Sequence, residues 1–313
     1  MSKYLFNSDK TMYKANLHCH TTVSDGKYTP EEIKAMYKER GYSIVAFSDH
    51  GVLKNQTHLN DDGFLAINAC EFVVNNKKPG DLPKNIMAYH FSFFSPDPGV
   101  QETPPKPRMD YHDTDAINKY IKDRSGEGFL VCYNHPYASA QTYEHYHRLE
   151  GCFAVEIYNN HSETGSCRGY NPWVYDEMLR AGHKGHKLFC ISADDNHNKA
   201  LPDSTIDSFG GFVMINSGAL RYEDIIASLI RGDFYSSQGP KLYEISLDEN
   251  RLSVKCSGVV LIAVYTDSKK SYVRRGTNLT EAGFELDGDE KYIRIMCRDK
   301  DGNDANSNAF WLI

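Results

Sequence analysis

Two histidines, His18 and His20, stand two residues apart in Asn16-Leu17-His18-Cys19-His20, and Asp25 follows in Thr21-Thr22-Val23-Ser24-Asp25-Gly26. Side chains two apart on a strand share a face, so the two imidazoles point the same way. Two imidazoles and a carboxylate at a strand end suit a borderline or harder divalent ion. The same residue types recur along the chain. His50 closes Ser48-Asp49-His50, Glu71 and His90 follow in later segments, His135 lies in Asn134-His135-Pro136, and Asp195 and His197 lie in Asp194-Asp195-Asn196-His197. No cysteine belongs to this set. Nitrogen and carboxylate donors fit Mn, Fe or Zn in a reactive site better than a structural thiolate site. The donors exceed what one ion can use, whereas two or three ions sharing a bridging carboxylate would use them all.

Elements that could position these donors are legible nearby. Thr29-Pro30-Glu31-Glu32 has the form of a helix start, with Thr29 as cap and Glu32 completing a capping box. Ile33, Met36 and Tyr37 then fall at helical spacing, and Gly41 suits the end. Apolar runs at 42–47, 64–70, 85–91, 129–133, 153–158, 187–192 and 212–215 read as strands, several buried on both faces. Helices are expected at 114–124, 141–149, from 171 to about 182 and 221–231, the last burying Ile225, Ile226, Leu229 and Ile230. A Pro-rich stretch at 95–108 reads as irregular. Strands alternating with helices imply a parallel sheet, and about seven repeats favour a closed or nearly closed barrel with its site at the strand ends. Beyond Pro240 the pattern becomes short alternating strands and turns without any histidine, so a small all-β sandwich-like domain is expected at 239–313, after a barrel domain at 1–238.

Composition narrows the class. The 313 residues carry a net charge of -7, which argues against a nucleic acid polymer as partner. Eight cysteines without a Cys-x-x-Cys pair suggest reduced thiols in a cytoplasmic protein rather than a disulfide framework. Residues 1–10 are polar and no run is long enough to span a membrane, so a soluble protein is expected.

The ordered set His18-Cys19-His20-Thr21, Ser24-Asp25-Gly26, Ser48-Asp49-His50, Glu71, Asn134-His135-Pro136 and Asp195-Asn196-His197 resembles the PHP (polymerase and histidinol phosphatase) metallohydrolase family. The resemblance implies an α/β fold, a distorted seven-stranded β/α barrel with up to three metals at its mouth. It implies that His18, His20, Glu71 and Asp195 hold one metal, that Glu71 bridges to a second held by His135 and His90, and that Asp25, His50 and His197 hold a third. Many members carry a histidine where Asp25 stands, which leaves Asp25, with His50 beside it, as a candidate for catalytic proton transfer. The segment Phe234-Tyr235-Ser236-Ser237-Gln238-Gly239-Pro240, followed by β structure, also resembles a branch related to carbaryl hydrolase.

The expected activity is metal-dependent hydrolysis of a small phosphomonoester or nucleotide through a metal-bound hydroxide in a di- or trinuclear site. The alternative is hydrolysis of a non-phosphate ester, carbamate or amide. A non-catalytic binding protein is the third reading, and the intact donor set argues against it. Arg168, whose guanidinium would match a phosphate fork, Lys199 beyond His197, and His161 at a strand end are the candidates for holding a small anionic, phosphorylated substrate. Asp49 is expected to orient a ligand rather than to be one, and Asp194 either to do the same or to be exposed.

Overall fold

The computed structural model describes residues 3–78, 80, 82, 86–181, 188–199 and 205–312. Asn85, the expected start of a strand, Gly182, an expected helix end, and Lys187, another expected strand start, lie outside the described residues.

The strands that carry the donors form one end-to-end path. β2 (Thr11–Cys19), β3 (Ile44–Phe47) and β4 (Leu65–Asn75) run parallel. β5 (Ala88–Phe94) is antiparallel to β4 and to β6 (Leu130–Asn134). β6, β7 (Ala154–Asn159) and β8 (Phe189–Ala193) are parallel again. The sheet is therefore mixed rather than parallel throughout, and its path is open. The expected barrel closure fails for a physical reason. The free edge of β2 is taken over Thr11 to Ala15 by the antiparallel β9 (Phe212–Ser217). Only the last part of β2 then reaches the segment after β8, through an isolated bridge between Cys19 and Asn196.

From β9 the path continues through β10 (Phe234–Ser237), β15 (Asp304–Ser307), β14 (Tyr292–Arg298), β12 (Arg251–Thr266) and β11 (Leu242–Asp248) to β1 (Lys3–Asn7). β13 (Ser271–Glu285) pairs with β12, and β16 (Phe310–Trp311) with β14. The C-terminal strands are thus continuous with the donor-bearing sheet, and they enclose a core of their own around Ile245, Val254, Ile262, Ile293 and Ile295. Where short strands are expected, β12 runs unbroken from Arg251 to Thr266, with irregular pairing near Val259.

Of the helices, α1 (Pro30–Glu39) has the capping box in place: Glu32 N donates to Thr29 Oγ1 and Thr29 N to Glu32 Oε2. α2 (Thr114–Gly126) is capped by Asp113. α3 (Tyr143–Tyr146) is a single turn where a longer helix is expected. α4 (Asn160–Ser166) begins directly after β7, ahead of the helix expected from 171. α5 (Trp173–Arg180) and α6 (Tyr222–Arg231) follow, and Ile230 in the last turn of α6 is exposed, not buried as its spacing suggests. Residues of β3 alternate between two apolar clusters, so the strand is buried on both faces as its sequence implies. One buried ion pair joins the two parts: the Arg294 guanidinium of β14 donates to both oxygens of Asp176 in α5, at 2.6 and 2.5 Å. All eight cysteines are free, and Cys167 is the exposed one. Among the described residues no helix is long and apolar enough to cross a membrane.

Candidate active site

The strand ends bring the donors to one mouth. His18 lies in β2, and His20 just beyond it. The turn after His20 folds back so tightly that a Cβ on Gly26 would lie 2.4 Å from the His20 carbonyl oxygen, so only glycine fits. Asp49 fastens this turn, accepting from Thr21 N, Thr21 Oγ1, Ser24 N and Ser24 Oγ. Its carboxylate thus orients the loop that carries Asp25 rather than a ligand imidazole. His50 follows β3 and forms an isolated bridge with Glu71 in β4. β4 does not stop at Glu71 but runs on to Asn75 against β5. Because β5 is antiparallel, His90 sits near its start, opposite Val73 and Asn134. His135 follows β6, and Asp195 and His197 follow β8. His135 (φ 26°) and Asp195 (φ 54°) hold left-handed backbone conformations that cost non-glycine residues on the order of 1 kcal/mol. Such strain concentrates at functional positions.

Glu71 is the centre of the cluster. Its Oε1 lies 3.4 Å from His18 Nε2, 3.2 Å from His90 Nδ1 and 3.6 Å from His135 Nε2. Its Oε2 lies 2.8 Å from His50 Nδ1 and 3.7 Å from His20 Nε2. Asp195 Oδ1 lies 3.1 Å from His18 Nε2 and 2.9 Å from His20 Nε2, and those two nitrogens are 3.1 Å apart. On the outer side, His197 Nε2 and His50 Nε2 lie 3.4 and 3.8 Å from Asp25 Oδ1, and Lys199 Nζ lies 3.0 Å from Asp25 Oδ2. Among the described residues, three groups inside this cluster could hold a metal: His18, His20 and Asp195; His18, Glu71 and His135; and His20, Asp25, His50 and His197; a further group, His161, His197 and Asp207, adjoins it. His90 joins none of these three; it lies 3.2 Å from Glu71, and its ring is 4.7 Å from that of His135.

The donor orientation fits an ion. His18 Nδ1 lies 3.1 Å from Glu156 Oε1, His135 Nδ1 3.0 Å from Ser139 Oγ, and His197 Nδ1 2.9 Å from the Asp195 carbonyl oxygen. Each outer nitrogen is thereby occupied, and each Nε2 lone pair turns inward. Atoms bound to one ion at about 2.1 Å lie roughly 3.0 to 3.4 Å apart, which matches the His18, His20 and Asp195 spacings. His20 Nδ1 and Glu71 Oε2 are buried without a hydrogen-bond partner, although His50 Nδ1 approaches Glu71 Oε2. Buried polar atoms left so are rare, and a cation held here would account for the oxygen.

The carboxylates set the electrostatics. Burial works against the charged forms of Glu71 and Asp195, yet surrounding histidines hold both well below the usual carboxylate range. Burial likewise opposes protonation of His18, His135 and His50, but neighbouring carboxylates raise all three. His20 goes the other way, because its burial outweighs Asp195. For Asp25, burial is overcome first by the Lys199 hydrogen bond and then by His197 and His50, so it lies lower than usual.

Several functional contacts escaped the sequence reading. Glu156 of β7 accepts from His18 and, through Oε2, from His135 N and Asn159 Nδ2. A lone carboxylate in the apolar run Phe153-Ala154-Val155-Glu156-Ile157-Tyr158 is the signal that could have found it. Asp207 accepts from His161 Nδ1 at 2.9 Å and from His197 N at 2.8 Å. His161 thus stands beside the cluster, its ring 4.8 Å from that of His197, and its partner Asp207 raises it despite partial burial. Arg168 is exposed beyond α4, and among the described residues its guanidinium joins none of these groups. Asp194 accepts from Tyr37 OH and from the amides of Phe209, Gly210 and Gly211, and burial pushes it up to about 7 against those donors. It fastens the segment after β8 rather than any single ligand.

Residues 16–196 match the model of the PHP domain, more than half of the chain, and the chain belongs to that family. Among solved structures it is similar to a two-domain protein from Bacteroides vulgatus described as containing a PHP-like metal-dependent phosphoesterase, at 15% identity and TM-score 0.49 over 99% of this chain and 97% of that one. It is also similar to a protein from Bifidobacterium adolescentis described as a metal-dependent phosphoesterase, at 15% identity and TM-score 0.42 over 62% and 92%. An amidohydrolase from Chromobacterium violaceum, with bound sulfate and no metal, matches at 14% identity and TM-score 0.36 over 62% and 89%. No curated protein matches the chain.

Proposed function

We propose that the protein is a metal-dependent phosphoesterase that hydrolyses a small phosphomonoester or nucleotide, using two or three divalent ions of the Mn, Fe or Zn type. The observation that carries this reading is the placement of Glu71 between two sets of nitrogen donors. One oxygen faces His18, His90 and His135, and the other faces His20 and His50. A carboxylate so placed suits two ions held close together, and such ions supply the charge that binds phosphoryl oxygens and makes water acidic.

The protein's own groups divide the remaining work. Asp25 is ionised at neutral pH, so it serves as a ligand or proton acceptor rather than a donor. His161, whose protonated form is favoured by Asp207, stands beside His197 and suits a substrate oxygen. Lys199 keeps Asp25 charged and marks the same rim. Glu156 fixes His18 and the main chain of His135 together, so one residue sets the inner geometry. We place the metal-binding unit at 1–238 and the C-terminal β unit at 239–313, and the compartment as cytoplasmic.

The test is elemental analysis of protein purified without chelator, followed by a screen of phosphomonoesters and nucleotides beside aryl carboxylic esters and carbamates. Bound Mn, Fe or Zn with phosphate release that chelator abolishes is expected. Turnover of carboxylic esters or carbamates without phosphate release would replace this reading with carbonyl hydrolysis.

A further inference from the structure

Beside the cluster an open cleft of about 470 Å³ runs outward, lined by His50, Glu71, Phe72, Val73, His90 and Lys106 among others. Its floor carries His50, Glu71 and His90, Val73 and Pro107 give its wall an apolar part, and its rim carries Lys106. Lys106 belongs to the Pro-rich stretch, which is pinned in place. Leu53 N donates to Thr103 Oγ1 at 3.0 Å, Asn55 Nδ2 to the carbonyls of Pro98 and Val100 at 2.8 and 2.9 Å, and Tyr120 OH to Pro105 O at 2.6 Å. The local sequence is Thr103-Pro104-Pro105-Lys106-Pro107. Proline fixes its own φ and restricts the residue before it to extended backbone, so Lys106 stands on a stiff segment.

The Lys106 ammonium lies against Gly51, next to His50. A Cβ there would come 3.2 Å from Lys106 Nζ, and Gly51 has φ +67°. The lysine therefore uses room that glycine leaves beside a cluster histidine. The two rim lysines also differ. Lys199 is paired with Asp25, whereas among the described residues Lys106 has no carboxylate partner. A lone ammonium facing an apolar-walled cleft attracts an anion without first losing an ion pair.

We propose that this cleft is a leaving-group subsite in which Lys106 receives a second anionic group of the substrate, while the phosphate lies at the donor cluster. The substrate class is then a phosphomonoester whose alcohol portion carries a carboxylate or a further phosphate across a short apolar spacer against Val73 and Pro107. The inference rests on the phosphoesterase reading and narrows it.

Isothermal titration of the metal-loaded full chain tests it with two rigid, non-hydrolysable probes, phenylphosphonate and 4-carboxyphenylphosphonate. The carboxylated probe is expected to bind roughly tenfold more tightly. Lys106→Ala is expected to erase that preference, Lys106→Glu to reverse it, and Lys106→Arg to keep most of it. Both probes binding with one affinity in the wild-type protein, or a preference that survives Lys106→Ala, overturns the subsite and leaves the phosphoesterase reading standing. Failure of both probes to bind overturns the two together.

Discussion

The inner and outer sides of the donor cluster are built differently. His18, His20, Glu71 and Asp195 are buried, and Glu156 holds His18, Asn134 holds Glu71 and Asn159 holds Asp195. Asn16 alone ties His18 N, Asp194 N and Asn196 together across β2 and the end of β8. The outer side consists of Asp25, His50, His197 and Lys199, where Asp25 is 45% exposed on a turn and answers mainly to a surface lysine. Burial makes the inner electrostatics strong and expensive to disturb, whereas water screens the outer ones. The firmest binding of metal belongs to the inner side on this view, and adjustment of protons, substrates and a further ion to the outer.

Three experiments bear on that contrast. Glu71 touches both sides, so Glu71→Ala is expected to lower turnover roughly a thousandfold or more and to reduce bound metal. Retention of near-native turnover with full metal content would break the idea of a shared centre. Asp25→Asn is expected to lower turnover roughly a hundredfold while inner-site metal content and melting temperature stay close to those of the wild type. A large drop in either would make Asp25 a structural member and erase the distinction. The smallest expected effect concerns pH. Protonated His18, His135 and His50 pair with carboxylates in the metal-free fold, so their contribution is fully present below about pH 6.5 and is lost as pH rises through their raised folded values. Metal must displace those protons, and its apparent affinity gains about 1.4 kcal/mol per pH unit for each proton displaced. The rise in melting temperature on adding metal should therefore grow from pH 6 to pH 8, and a shift independent of pH would show that the histidines are already neutral.

The same contrast explains what was legible in the sequence. Metal-binding residue types concentrated at strand ends are visible without coordinates, and all nine expected ligands do meet at one mouth. Glu156 and Asp207 were not legible, because a carboxylate that accepts hydrogen bonds looks the same in sequence as one exposed to water. The α1 capping box was readable because its partners lie within one turn. β13 was not, since its outward residues are charged and polar and its pairing depends on a strand with irregular register. β1 was missed for a related reason: its partner, β11, lies more than two hundred residues away. Closure of the barrel was misjudged because period and spacing identify strands but not which edge each one occupies.

The buried Arg294–Asp176 pair has a consequence for the order in which the protein matures. Arg294 is fully buried, its remaining guanidinium nitrogen donates to Asn306, and its face packs on Tyr265. Removing one partner of such a pair typically costs about 3 to 5 kcal/mol. Asn308 adds a second tie, accepting from Cys190 N in β8 and donating to the Phe234 carbonyl in β10. β8 is the strand that delivers Asp195 and His197. On a ribosome, every metal donor emerges well before Arg294 and Asn308 do. The nascent chain would thus display a full set of ligands on a strand not yet locked in place, and firm capture of metal would wait for the segment that carries Arg294 and Asn308.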